Sequence, residues 1–198
     1  MLTVAIQAGG ESRRMGQDKA LMPFLGQPLI EHVLQRILAI ADEVVVTTNQ
    51  PENYDFLKVR LFEDPIRNRG ALGGLYTALQ AASHPFVAVI GCDMPFIHAE
   101  MLKAEYEAMV TSQPDIVVPR MRDGLQPFHA IYRRDTCLPF VRSALEDGHW
   151  RADAWFDQVQ VKYFPETEIL KYDPEMLSFW NINTLEDFRA AEERASQL

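Results

Sequence analysis

Short, continuously apolar runs alternate along this chain with longer stretches whose apolar positions recur every three or four residues. Leu2–Gln7 is the first apolar run, and it ends at Gly9 and Gly10. Glu43–Thr48, Lys58–Phe62 and Phe86–Gly91 are further runs of the same kind. Between them, Leu29, Ile30, Val33, Leu34, Ile37, Leu38 and Ala41 mark one face of a helix, with Pro28 suited to its first turn. Leu72, Leu75, Tyr76 and Leu79 predict a second helix. Ile97–Thr111 predicts a third, with Leu102, Tyr106 and Met109 facing inward. Strand and helix in strict alternation predict parallel strands joined by right-handed crossovers. Strands covered on both faces are apolar throughout, as Val44–Val46 and Phe86–Gly91 are.

The second half is less regular. Asp115–Pro119 and Gln126–Arg133 predict strands around a turn at Asp123–Gly124, and Val159–Phe164 another strand. Thr136–Leu145 and Arg151–Phe156 read as helices. Phe179–Asn183 reads as a short strand before a last helix, which Thr184 caps with Asp187 three residues on. Pro165–Pro174 is the most loop-like stretch. No repeat or flexible linker divides the chain, so one domain over residues 1–198 is expected.

Charge narrows the function. Nineteen Lys plus Arg against 28 Asp plus Glu give a net charge of −9, which argues against a nucleic-acid binder but not against a local basic pocket. Cys92 and Cys137 are the only cysteines, too few for a disulfide scaffold or a four-cysteine metal site. No apolar run approaches the roughly 20 residues of a membrane span, and MLTVAIQAGG lacks the layout of a secretory signal. A cytoplasmic protein without membrane or nucleic-acid partners is expected.

The loop that follows the first strand holds Gly9, Gly10, Gly16, Arg13, Arg14 and Lys19. Glycines let backbone N–H groups approach an anion, and the cations neutralise phosphate charge. The loop is not a P-loop, because Lys19 follows Asp18 and precedes Ala20. Nor do Gly9, Gly10 and Gly16 fit the dinucleotide fingerprint. Asp93 ends an apolar strand, where a carboxylate is suited either to Mg²⁺ or to capping the helix after Ile97. Asn181 and Asn183, on alternate positions of the expected strand, either hold metal or phosphate or brace the loop. Cys92 has no base paired with it by sequence and reads as structural.

Ala8–Leu21, AGGESRRMGQDKAL, resembles the signature of the molybdenum cofactor guanylyltransferase family. Leu72–Leu75, Cys92–Phe96, Gln126–Ala130 and Asn181–Thr184 resemble that family's G-P-L-G-G, C-D-x-P-F, Q-P-L-H-A and N-x-N-T segments in the same order. The resemblance implies an α/β, Rossmann-like, open and mostly parallel twisted sheet with helices on both faces, as in nucleotide-diphospho-sugar transferases. It implies transfer of GMP from GTP to the phosphate of molybdopterin, with Mg²⁺ as cofactor and molybdoenzymes or their chaperones as further partners. Residues about 1–100 would bind nucleotide and about 101–198 the acceptor.

By the same resemblance, Lys19, Asp93 and Arg13 are catalytic. Gln7, Ala8, Gly9, Gly10, Lys19, Thr47, Asp64 and Asp93 bind the nucleotide; Asp93 and Asn183 hold the metal; Gln126, His129 and Asn181 shape the acceptor pocket. Asp64 also reads as a turn residue before Pro65, and Thr47 as an ordinary strand end. Arg151 and Arg133–Arg134 either meet the acceptor phosphate or are surface charges. Gln7 stands where the family has Leu, Ala71 where it has Pro, and Phe128 where it has Leu. Gly10 favours guanine over cytosine by resemblance, the related cytidylyltransferases having Ala there. The competing readings are a cytidylyltransferase or sugar- or alditol-phosphate nucleotidyltransferase of the same fold, and a non-catalytic GTP-binding paralogue.

Overall fold

A computed structural model describes residues 1–8, 18–65 and 70–198. An eight-stranded sheet runs through it. Its strands are β1 (Leu2–Gln7), β4 (Glu43–Thr47), β5 (Arg60–Phe62), β6 (Phe86–Gly91), β7 (Ile116–Met121), β8 (Gly124–Leu125), β9 (His129–Arg133) and β10 (Val161–Pro165). The order is β10-β7-β9-β6-β1-β4-β5, with β8 hairpinned onto β7. β4 and β6 flank β1 in parallel, β5 extends the parallel run, and β10 is parallel to β7. β9 runs antiparallel to both β6 and β7. A small hairpin of β2 (Pro23–Phe24) and β3 (Gln27–Pro28) stands apart.

The alternation of side chains along each strand feeds two cores. Leu2, Val4, Ile6, Ala88 and Ile90 face α1 (Leu29–Ile37) and α3 (Ala99–Ser112). Ala5, Val45, Val87 and Val89 face α2 (Gly70–Ala81) and α4 (Arg134–Glu146). The helices therefore cover both faces, as a continuously apolar sheet requires. The β2–β3 hairpin packs with α6 (Leu185–Ala195) through Phe24, Leu29 and Phe188. Thr184 caps α6 in a full capping box with Asp187.

Three expectations from the second half are corrected. Arg151–Phe156 is not an α-helix but a series of turns leading to a 3-10 turn at Phe156–Gln158. Its bonds span three residues, Ala154 N–H to Arg151 O and Phe156 N–H to Asp153 O, and Trp155 and Phe156 both pack against Tyr132. Phe179–Asn183 is not a strand. A 3-10 turn covers Leu177–Phe179, and the Asp173 carboxylate accepts the backbone N–H groups of Leu177 and Ser178. The loop-like stretch contains a helix, α5 (Glu166–Tyr172), with Pro165 at its N-cap, two glutamates in its first turn and Ile169 buried.

Candidate active site

Parallel register aligns Gln7, Thr47, Phe62 and Gly91 in one row at the carboxyl end of the sheet. The row continues one step further through Ala8 N–H to Thr47 O at 2.8 Å, Thr48 N–H to Phe62 O at 2.9 Å and Cys92 N–H to Gln7 O at 3.1 Å. The chain leaves β1 toward β4 and β5 on one side and returns to β6 on the other. That reversal makes β1 a topological switch point, where open α/β sheets bind their ligands.

Three sequence motifs meet there. Lys19 opens a 3-10 turn, Lys19–Leu21, that Asp18 caps. Its Nζ lies 2.6 Å from Asp93 Oδ2 and donates also to Ile182 O at 3.0 Å. Ile182 N–H returns a bond to Asp93 O at 3.0 Å. The Lys19 and Asp93 side chains are 17% and 22% exposed, so a ligand can reach both. Asp93 is not the cap of α3, whose N-cap is His98. Gly91 makes room for it, since a methyl group there would collide with Asp93 Oδ1.

Gln7 points to the face covered by α2, and its carboxamide lies over Gly74, where a Cβ would stand 2.9 Å from both Nε2 and Oε1. Gln7 Nε2 is buried and has no hydrogen-bond partner among the described residues. Asp64, two residues beyond β5, has Oδ1 in the same condition. Thr47 is buried. Arg13, Gly9 and Gly10 lie outside the described residues.

Of the residues assigned to the acceptor, Gln126 is half-buried and His129 fully buried. His129 Nδ1 faces Glu105 Oε1 at 3.4 Å, and its ring packs on Phe179 at 4.9 Å between centroids. Any influence of His129 on an acceptor therefore passes through its neighbours. Asn181 and Asn183 do not share a strand face. Asn181 donates to Phe179 O and Asn183 to Asn181 O, bonds that brace the loop. Arg133 is paired in register with Phe86, the first residue of β6, and donates to Pro114 O. Arg133 thus sits at the end of the sheet opposite the site, and Arg134, which bonds Leu79 O, follows it. Arg151 is exposed and paired with Asp153.

Sequence reasoning missed Tyr54, whose buried hydroxyl donates to Asp18 Oδ2 at 2.5 Å and so fixes the end of the first loop. It also missed Glu105 and the Ile182 carbonyl. Burial pushes the Cys92 thiol up, and the neighbouring Asp93 charge adds to this, which disfavours the thiolate and fits a structural cysteine. Among the described residues no cluster of three or more His, Cys, Asp or Glu side chains is placed to hold a metal. Nor is any helix long and apolar enough to cross a membrane.

A mostly parallel sheet covered on both faces, with a lysine and a carboxylate meeting at its switch point, is the arrangement of a Rossmann-like nucleotidyltransferase of the nucleotide-diphospho-sugar-transferase type. Residues 4–161 match the model of the MobA-like NTP transferase domain, and the chain belongs to that family. It is 32% identical over 192 residues to a molybdenum cofactor guanylyltransferase of Desulfosudis oleivorans, covering 96% of this chain and 94% of that protein. It is 31% identical to one of Syntrophotalea carbinolica, covering 94% and 88%. The crystal structure of molybdopterin-guanine dinucleotide biosynthesis protein A from Archaeoglobus fulgidus superposes with a TM-score of 0.86 at 27% identity, covering 99% of this chain and 100% of that one.

Proposed function

We propose that this chain transfers GMP from GTP to the terminal phosphate of molybdopterin, releasing pyrophosphate, in the cytoplasm. The observation that carries the reading is the convergence of Lys19, Asp93 and Ile182 at the switch point. It brings three motifs, distant in sequence, onto one place at the carboxyl end of the sheet. The curated relatives' names supply the donor and the acceptor.

The chemistry asks for little beyond positioning and charge neutralisation. An acceptor phosphate oxygen attacks the α-phosphorus of GTP. A new P–O bond forms, the α–β anhydride breaks, and pyrophosphate leaves with the bonding electron pair. A phosphate monoester is already ionised at neutral pH, so the lack of a serine–histidine or cysteine–histidine pair at the site among the described residues is no obstacle. Ala8 N–H is already bonded to Thr47 O, so in the Ala8–Gly10 segment the N–H groups that follow it would hold the triphosphate, and Lys19 with Arg13 would neutralise it. Thr47 and Asp64, at the ends of β4 and β5, face the nucleoside. Gln126, His129 and Asn181 define the acceptor side, His129 through its packing on Phe179 and Asn181 through the backbone it braces.

The residues present fit Mg²⁺. Asp93 offers hard carboxylate oxygens that are partly exposed, and a single carboxylate suits a cation that completes its shell with substrate phosphates and water. Asp93 would hold it, with Asn183 nearby, and when bound it would withdraw charge from the phosphate oxygens.

Pyrophosphate release with molybdopterin and Mg²⁺ tests the reading, run in parallel with GTP, CTP, ATP and UTP. Release with GTP alone, abolished by chelation, is expected. Release with CTP instead would overturn the base assignment, and release with none would overturn the activity.

A further inference from the structure

Gln7 is a departure that the fold does not explain. Its backbone belongs to the last row of β1, but its carboxamide nitrogen is buried without a partner among the described residues. A buried donor left unmade is destabilising, whereas a leucine of similar size would carry no such cost. The surroundings nevertheless make room for the amide. Gly74 of α2 leaves a gap in the helix where even a methyl group would press on Nε2 and Oε1. A donor kept in such a place points to an acceptor that arrives with substrate.

The position says which part of the substrate. Gln7, Thr47 and Phe62 lie in one row across β1, β4 and β5, and Asp64 follows that row by two residues. Strands two places apart are separated by about 10 Å, the span of a purine edge plus a hydrogen bond on either side. Among the described residues, Asp64 Oδ1 is a buried acceptor without a partner, and Gln7 Nε2 a buried donor without one. Guanine presents the complement: a carbonyl oxygen that accepts, beside ring and exocyclic N–H groups that donate. Adenine presents an amino group where guanine has the carbonyl, and would set donor against donor.

We infer that Gln7 reads the base, donating its carboxamide N–H to the guanine carbonyl oxygen and so contributing to the choice of GTP. The inference rests on the guanylyl reading above and deepens it. Gln7 is on this view a specificity-determining residue, set on the rigid end of the central strand with no role in the bond-making step.

The test uses the full chain with Mg²⁺ and no acceptor, and reads nucleotide affinity by calorimetry. The probes are GTP and 6-thio-GTP, which keeps the ring N–H and exocyclic amino donors but replaces the carbonyl oxygen by the weaker acceptor sulfur. The native protein is expected to prefer GTP by about tenfold, the worth of one hydrogen bond. Gln7→Leu should bind GTP about tenfold more weakly and lose that preference, with the melting temperature of the free protein unchanged or raised. Gly74→Ala, which displaces the carboxamide while leaving Gln7 in the chain, should lose the preference too. An unchanged GTP to 6-thio-GTP ratio in both variants would overturn the inference and leave the guanylyl reading intact. A native protein that binds CTP and not GTP would overturn both.

Discussion

The contact between Lys19 and Asp93 ties stability to the proposed catalytic role of both residues, and two substitutions separate the two. Lys19→Met keeps the length of the side chain and removes the ammonium. It deletes a 2.6 Å charge-assisted bond to Asp93 and a 3.0 Å bond to the Ile182 carbonyl. A hydrogen bond to a charged group contributes about 1.5–3 kcal/mol and one to a neutral carbonyl about 1. The orphaned carboxylate is 22% exposed and recovers part of this from water, so a loss of about 2 kcal/mol in unfolding free energy is expected. Asp93→Asn keeps an amide oxygen that Lys19 can still donate to, and the loss should be about 1 kcal/mol. Asp93→Asn removes the proposed metal carboxylate and should lower pyrophosphate release by about 10²-fold or more, the usual scale for deleting one electrostatic contact to the reacting group. It also frees Lys19 and takes a negative charge from the path of the triphosphate, so GTP binding in the presence of chelator should tighten. Urea denaturation, pyrophosphate release and calorimetry with and without Mg²⁺ give the three readings. Near-native turnover by Asp93→Asn, or metal-free GTP binding weaker than native, would refute the reasoning.

Three further outcomes are expected. Burial alone would raise the Glu43 carboxyl, but bonds from Thr3, the Ser83 N–H and hydroxyl, and Arg60 outweigh it and hold the carboxyl at about 2. The carboxylate's contribution is therefore fully present above the unfolded value near 4.3 and is lost as pH falls toward 2. Glu43→Gln should lose about 1–2 kcal/mol in urea unfolding at pH 7, and the gap to native should close at low pH. Glu105 has the opposite sign: burial raises its carboxyl, against the opposing pull of His129, so its fold is most favoured below the unfolded value and loses stability as pH rises through the raised one. Glu105→Gln should improve relative to native between pH 4 and pH 8, and a flat difference would refute the assignment. Thr184→Ala breaks the capping box of α6 and should cost about 1 kcal/mol, read as a lower urea midpoint with an unchanged slope.

What the sequence disclosed depended on where each segment finds its partners. β1, β4 and β6 were readable because each is a continuous apolar run, and α1 because its inward positions keep the helical period. The segment after α5 was not readable, since its conformation is held by distant or side-chain groups. Asp173 caps its turn, and Asp93 and Lys19 take the backbone of Ile182. Lys19 and Asp93 were legible as motif residues. The Ile182 carbonyl was not, because any residue supplies a carbonyl. Glu105 escaped notice because the inward face of α3 was read from apolar positions. The face actually buried is Met101, Leu102, Glu105 and Met109, with Tyr106 only partly covered.

The proposed division into a nucleotide half and an acceptor half is one of function rather than folding. β6, from the first half, is paired on one edge with β1 and on the other with β9 from the second half. Gly91 N–H, at the end of β6, donates to Phe128 O within the segment assigned to the acceptor. Lys19 reaches across 163 residues of sequence to Ile182. A chain cut near residue 100 would expose the β6 edge and strip Lys19 of its carbonyl partner. The lysine proposed to neutralise the donor phosphates is thus positioned by the segment that also adjoins the proposed acceptor side. A change in that segment, at Phe179 or beneath it at His129, has a direct route to the placement of Lys19 and Asp93.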